Sequence, residues 1–254
     1  MGNLLKKLSL LAVLGFPLSL IGYRMGAYDF GVGFAGIKYT VYLTLAVFVL
    51  GLLVMFLQRK KNPSESKAAM HAVLISLIPM IGIGSQIMTA KSVPSIHNIS
   101  TDTVNPPEFS RIAEIRTSEH NPLEYDASKL AALQNEAYPE VKTIYSELSL
   151  PEAHGKALVV AEALGWEVVN QDVVTGIIEA TETTKLWNFK DDIVIRVTGI
   201  GDVAGGETIA DSDNIAGSEN KRVAVDLRSV SRIGQSDLGA NAKRIEKFID
   251  SFNR

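Results

Sequence analysis

The sequence predicts an α+β protein: three N-terminal transmembrane helices, then an antiparallel four-stranded sheet packed with two helices in a helix-grip-like arrangement. Three observations predict it. Three long apolar stretches fill the first ninety residues, and a polar, acidic region follows them. Within that region, segments alternating apolar and polar residues lie between two helical patterns.

The hydrocarbon core of a bilayer is about 30 Å thick and takes about 20 helical residues to cross. Residues 8–23 are uncharged but short, and Lys6, Lys7 and Arg24 extend the span by placing their charges at the interface. Residues 39–58 form a clean span between Lys38 and Arg59, and residues 68–90 form one between Lys67 and Lys91. Pro17 and Pro79 are expected as kinks. Gly31-Val-Gly33-Phe-Ala-Gly36 matches a dinucleotide-binding pattern, but it precedes a membrane span and not a strand–helix–strand unit. Those glycines serve close helix packing or a loop.

Lys6 and Lys7 precede the first span, and Arg59, Lys60, Lys61 and Lys67 lie between the second and third. Only Arg24 and Lys38 lie on the other side, so the positive-inside rule places the amino terminus in the cytoplasm. Residues 91–254 are then expected in the periplasm, outside the inner membrane. A signal peptide is the alternative for the first stretch, though no small-x-small cleavage site follows it.

Residues 1–90 carry 8 basic and 2 acidic residues, against 17 and 26 in residues 91–254. An acidic domain is a poor partner for nucleic acid, which demands a basic face. The chain has no cysteine, which excludes disulfides, thiolate catalysis and cysteine metal sites.

Residues 91–123 contain Pro94, Pro106, Pro107 and Pro122 among Ser, Thr and Asn, and read as an extended lead-in wrapping the domain. Residues 126–136 predict a short helix ended by Tyr138-Pro139. Residues 151–164 predict a second, with Ala157, Leu158, Ala161 and Leu164 on one stripe and Gly165 as its stop. Strands are predicted over 166–170, 174–184, 192–198 and 223–231. A mobile hairpin loop is predicted over 199–220, whose Asp211-Ser-Asp213-Asn lacks the Gly and Glu of a calcium loop. The last helix is predicted over 237–252, capped by Ser236 or Asp237, with Leu238, Ala242, Ile245 and Phe252 inward.

Several segments resemble one family: Gly176-Ile-Ile-Glu179-Ala-Thr-Glu182, Phe189-Lys-Asp191-Asp192-Ile-Val-Ile-Arg196-Val, and Asp226-Leu-Arg228-Ser-Val-Ser231-Arg232-Ile-Gly234-Gln-Ser236-Asp237-Leu-Gly239-Ala-Asn241-Ala-Lys-Arg244-Ile. Ile96-His97-Asn-Ile-Ser-Thr101-Asp102, Asn105-Pro106-Pro107-Glu-Phe109, Ala137-Tyr138-Pro139 and Gly165-Trp166 fit it too. Over roughly residues 94–252 the chain resembles the bacterial and plastid family known as domain of unknown function 1499. The resemblance implies an envelope or lumenal domain with membrane helices before it, and brings no activity.

The candidate ligand- or anion-binding residues are Arg196, Arg228, Arg232, Ser236, Asp237, Asn241 and Arg244, around the turn that starts the last helix. A helix N-terminus and arginine forks hold anions. The competing reading pairs Arg228 and Arg232 with Asp191, Asp192 and Asp226 across the sheet and leaves Ser236 and Asp237 as helix caps. His97 and Asp102 are a candidate metal or acid–base pair, or a structural hydrogen bond. A nucleophilic Ser229 or Ser231 with His97 and Asp192 lacks the usual elbow motif. Trp166 and Trp187 belong to the core or line a groove. No catalytic residue, metal or cofactor is assigned. The expected function is non-enzymatic binding of an envelope protein partner. The alternatives are a lipid, amphiphile or anion in the sheet–helix groove, and last a hydrolase.

Overall fold

The computed structural model describes residues 1–200 and 223–254. The loop expected over 199–220, with its calcium-like segment, therefore lies outside the described residues, except that Gly199 ends a strand. The chain separates into two compact units, residues 1–92 and 93–254.

The first unit is three helices, α1 (Gly2–Arg24), α2 (Phe30–Gln58) and α3 (Pro63–Ser92), each long and apolar enough to cross a membrane. They start earlier than the apolar runs do, because each helix continues through its polar flank. Asp29 caps α2 by accepting the Val32 N–H at 2.9 Å, and Asn62 accepts the Glu65 N–H at 3.2 Å near the start of α3. The glycines of the discarded dinucleotide pattern lie inside α2. Gly33 is buried against Tyr23 and the Ser19 carbonyl, and the partly buried Gly36 lies close to the Ser19 side chain, so their role is helix packing. Pro17 and Pro79 lie within α1 and α3.

The second unit is α+β. Its elements are β1 (Asn98–Ser100), α4 (Arg111–Ile115), α5 (Ala127–Ala137), β2 (Ile144–Ser146), α6 (Leu150–Ala163), β3 (Glu167–Asp172), β4 (Ile177–Thr183), β5 (Lys190–Gly199), β6 (Val223–Ser231) and α7 (Ala240–Phe252). The sheet is antiparallel and has six strands among the described residues, not four. Two short strands come from irregular sequence: β1 pairs with the end of β6 and β2 with its start. Three-residue strands show too few alternations to be seen by period. The lead-in, read as an extended wrapping segment, contains only the short β1 and α4 as regular elements among the described residues.

Ile178, Ala180, Ile193, Ile195, Val197, Val223, Val225 and Leu227 share one face, and α6 and α7 cover it with Ala157, Ala161, Ala242, Ile245, Phe248 and Phe252. Trp166 stacks on Phe248 at 5.6 Å in this core. Ser149 and Glu152 form a capping box at the start of α6, with Pro at its first turn. The last helix begins at Ala240 and not at Asp237, because Leu238 (φ 54°) and Gly239 (φ 80°) are left-handed.

Gly176, in the β3–β4 turn, is the glycine the fold most requires. Its φ is +72°, and a Cβ there would lie 2.1 Å from the Val197 carbonyl oxygen. Gly176→Ala should cost more than about 2 kcal/mol, from left-handed strain plus displacement of β5. Both tryptophans of the chain lie in the second unit, so their fluorescence during urea unfolding of the intact protein measures it. An unchanged midpoint would refute this.

Candidate functional site

Strand alternation divides the polar residues between two faces of the sheet. On the helix-covered face, Arg244 of α7 donates to Asp191 at 2.6 Å, to Ser229 at 3.0 Å, and to Glu182 and Asn241. Asn241 donates to the His97 carbonyl and to Ser231 Oγ, both at 3.0 Å, and its own oxygen accepts from Ser229 at 2.7 Å. The Asp237 carboxylate accepts the N–H groups of Gly239 and Asn241 at 2.8 and 2.9 Å. Burial raises the Asp237 pKa, against those hydrogen bonds. Ser236 Oγ accepts the Leu238 N–H. The start of α7 is thus occupied by protein groups.

The opposite face presents buried charge from three adjacent strands, and the lead-in covers it. Glu179 of β4 accepts the N–H groups of Ser110, Arg111 and Ile112 at the start of α4, the Ser110 hydroxyl, and Asn170 at 3.0 Å. Asp192 of β5 accepts from Arg232 at 2.8 and 2.9 Å, from Arg116 at 2.7 Å and from Thr181 at 2.8 Å. Arg228 of β6 donates to Asn98 Oδ1 at 3.0 Å, to the Pro107 carbonyl at 3.1 Å and to the Leu123 carbonyl. Its guanidinium lies 5.5 Å from the Phe109 ring and 5.6 Å from the Tyr125 ring. Gln134 of α5 closes the wrap by exchanging two hydrogen bonds with the Ser100 backbone, at 2.9 and 2.6 Å.

Beside β2 lies a recess of about 550 Å³, lined by Thr101 and Thr103 of the lead-in and by Asn135, Tyr138, Lys142, Thr143 and Tyr145 among others. Buried Asp226 lies behind it. Asp226 Oδ1 accepts the hydroxyls of Thr101 (3.0 Å) and Thr143 (2.6 Å), and Oδ2 accepts from Arg196 (3.0 Å). Arg196 also donates to Asp102 at 3.1 Å, and Asp102 takes the N–H groups of Val104 and Asn105. Tyr145 is 39% exposed. Burial, then the Asp226 and Asp102 charges, raise its pKa and keep the phenol neutral. The Tyr138 hydroxyl is buried without a hydrogen-bond partner among the described residues.

Residues 98–252, more than half of the chain, match the family described as Protein of unknown function (DUF1499). The chain belongs to that family. No curated protein matches it, and no solved structure does.

In this DUF1499 domain the twelve residues singled out from sequence form three groups, not one. Asp191, Ser236, Asp237, Asn241 and Arg244 lie on the α7 side with the His97 carbonyl. Asp192, Arg228 and Arg232 are bonded on the opposite face, where Asp102, Arg196 and Asp226 form the back of the recess. Of Arg228 and Arg232, only Arg232 pairs with an aspartate, Asp192; Arg228 bonds to no carboxylate among the described residues, and Asp191 and Asp226 pair instead with Arg244 and Arg196. His97 and Asp102 do not pair: His97 Nδ1 lies 3.3 Å from the Gln235 carbonyl, and Asp102 bonds to Arg196. The imagined serine triad is also not assembled, because Ser229 and Ser231 bond to Asn241 while Asp192 lies across the sheet. Trp166 is core, whereas Trp187 stacks on Phe189 in the β4–β5 connection.

Sequence reasoning missed Arg116, Glu179, Thr101, Thr143 and Gln134. Glu179 had a visible signal, a carboxylate alternating with Ile178 and Ala180 in a buried strand. Arg116 and Gln134 had none, since their partners are distant in sequence.

Proposed function

We propose that the chain is a membrane-tethered, non-catalytic binding module whose 93–254 unit faces the periplasm and engages a component of the envelope. The recess carries this reading: it is the concave surface left when the candidate arginines and carboxylates are consumed in internal bonds. Supporting the non-catalytic part, the Ser229 and Ser231 hydroxyls bond to Asn241, and the neighbouring His97 turns its ring to the Gln235 carbonyl. His97, His120 and His154 contact backbone groups. The space between sheet and helices is filled by Trp166, Phe248 and Phe252, which disfavours an amphiphile there. The helix-grip comparison is part of the same proposal, with α7 packed along β6 and α6 beside it. A protein partner, preferred on sequence grounds, fits this reading if it inserts a protruding group into the recess.

Orientation is tested by labelling. The chain lacks cysteine, so single cysteines can be placed at Val174, which is 88% exposed, and at Lys60 in the α2–α3 connection. In spheroplasts a membrane-impermeant maleimide should label Val174→Cys, and Lys60→Cys only after lysis. The reverse pattern would place the domain in the cytoplasm and end the envelope reading. Binding at the recess is tested by a photo-crosslinking benzoylphenylalanine in place of Lys142, with the same replacement at Val174 as control. Equal products from both positions would remove the recess as the binding surface.

A further inference from the structure

The recess has a chemistry more specific than its existence. Its volume, about 550 Å³, lies in the range of small-ligand sites. Its polar groups are of both kinds. Thr143 spends its O–H on Asp226 at 2.6 Å, so its remaining lone pairs can only accept. Lys142 is exposed, with no ion pair among the described residues, and offers only donors. The Asn135 amide and the neutral Tyr145 phenol each offer both.

The charges at the recess and directly behind it balance: Lys142 and Arg196 against Asp102 and Asp226. Both Asp226 oxygens are already used by Thr101, Thr143 and Arg196, so no free carboxylate is left for a cation. An anion would meet one free cation with two carboxylates close by. The remaining wall is apolar: the half-exposed Tyr145 ring, Tyr138, Pro139 and Val141. A neutral molecule with one C–H face and a rim of hydroxyls, each both donor and acceptor, satisfies every one of these features. A sugar ring is that molecule. An acyl chain would strand the polar groups unpaired.

The chain enters the domain at residues 96–97, which bond to Asp237 and to Ser231 at the end of β6. The recess lies at the other end of β6, where β2 pairs with Val223–Val225.

We infer that the recess between β2, the end of α5 and Thr101–Thr103 of the lead-in is a carbohydrate-binding site for a neutral oligosaccharide, with Tyr145 as the stacking platform and Lys142, Thr143 and Asn135 reading hydroxyls. This rests on the binding-module reading and gives it a ligand class.

The test uses the full chain in lipid nanodiscs and saturation-transfer NMR with maltotriose, cellotriose and chitotriose as probes. At least one should receive saturation on its ring C–H protons. Tyr145→Ala should weaken that binding roughly tenfold or more, and Lys142→Ala several-fold. Val174→Ala should leave it unchanged. Both recess side chains are exposed, and unaltered tryptophan fluorescence confirms that the variants fold. Transfer to none of the three, or transfer that survives both substitutions, overturns the inference. Binding of inorganic phosphate that is lost in Lys142→Ala, without a sugar response, overturns it in favour of an anion site. The two readings fail separately. A protein crosslinked from position 142 with no sugar response sinks the carbohydrate and keeps the binding module, whereas neither signal sinks both.

Discussion

Replacing Asp192 with alanine is expected to destabilise the second unit by about 3–5 kcal/mol, the range for removing one partner of a buried ion pair. Asp192 has no exposed surface, the Arg116 side chain that bonds to it is 5% exposed and that of Arg232 14%. Its removal leaves two guanidinium groups in a poorly solvated place, and Thr181 loses its acceptor. Arg116 would still donate to the Asn121 and Val230 carbonyls, at 2.7 and 2.8 Å, which limits the loss. Urea unfolding of the intact protein, followed by tryptophan fluorescence, measures the effect. Glu140→Gln, at an exposed position with no ion pair among the described residues, should shift the same curve by no more than about 0.5 kcal/mol. A loss below about 1 kcal/mol for Asp192→Ala would show that the ion cluster does not hold the sheet.

The same residue gives a pH dependence of definite sign. Burial alone would raise the Asp192 pKa, but hydrogen bonds from Arg232 and Thr181, with the charge of Arg116, bring it below the ordinary 3.8. A carboxylate held below its unfolded pKa stabilises the fold fully above that value, and the stability is lost as pH falls through the folded pKa. Wild-type stability should therefore fall on acidification below about pH 4, and Asp192→Ala should fall less over that window.

Arg228→Lys is expected to cost about 2–4 kcal/mol and to loosen the lead-in selectively. Arg228 is 3% exposed and has no carboxylate bonded to it. Burial pushes its pKa down to about 10, opposed by Tyr125 and Glu108. It is held by three acceptors from separate parts of the lead-in and by two aromatic faces. A planar fork satisfies all of these together. An ammonium on a flexible stem cannot, and is more costly to desolvate. Hydrogen–deuterium exchange should quicken in peptides covering 98–125 while β4 and β5 stay protected. Unchanged exchange there, with stability within 1 kcal/mol of wild type, would mean that the wrap is held by other contacts.

These two residues show where sequence reading succeeded and where it stopped. The three spans were legible because crossing a membrane requires about 20 apolar residues in a row, a purely local signal. Strand β6 was legible at its full extent, and β5 to within two residues, because alternation encodes one buried face. Helix α7 was legible as a periodic stripe, though its start was not. The left-handed residues Leu238 and Gly239 that delay it carry no periodic mark.

By itself, then, the sequence determined the spans, the family, the core strands and the two helices that cover them. It also held the facts that separate Asp191 from Asp192 and Arg228 from Ser229, since adjacent strand residues face opposite ways. Reading them as one polar cluster ignored that rule. Only the tertiary structure decided what each charge meets. Arg116 reaches Asp192 across 76 positions, and Arg228 reaches Pro107 across 121. The lead-in that supplies these partners has no repeating pattern. Its path brings Ser110, Arg116, Pro107 and Leu123 to the charges buried on β4, β5 and β6, and Thr101 and Thr103 to the recess beside β2.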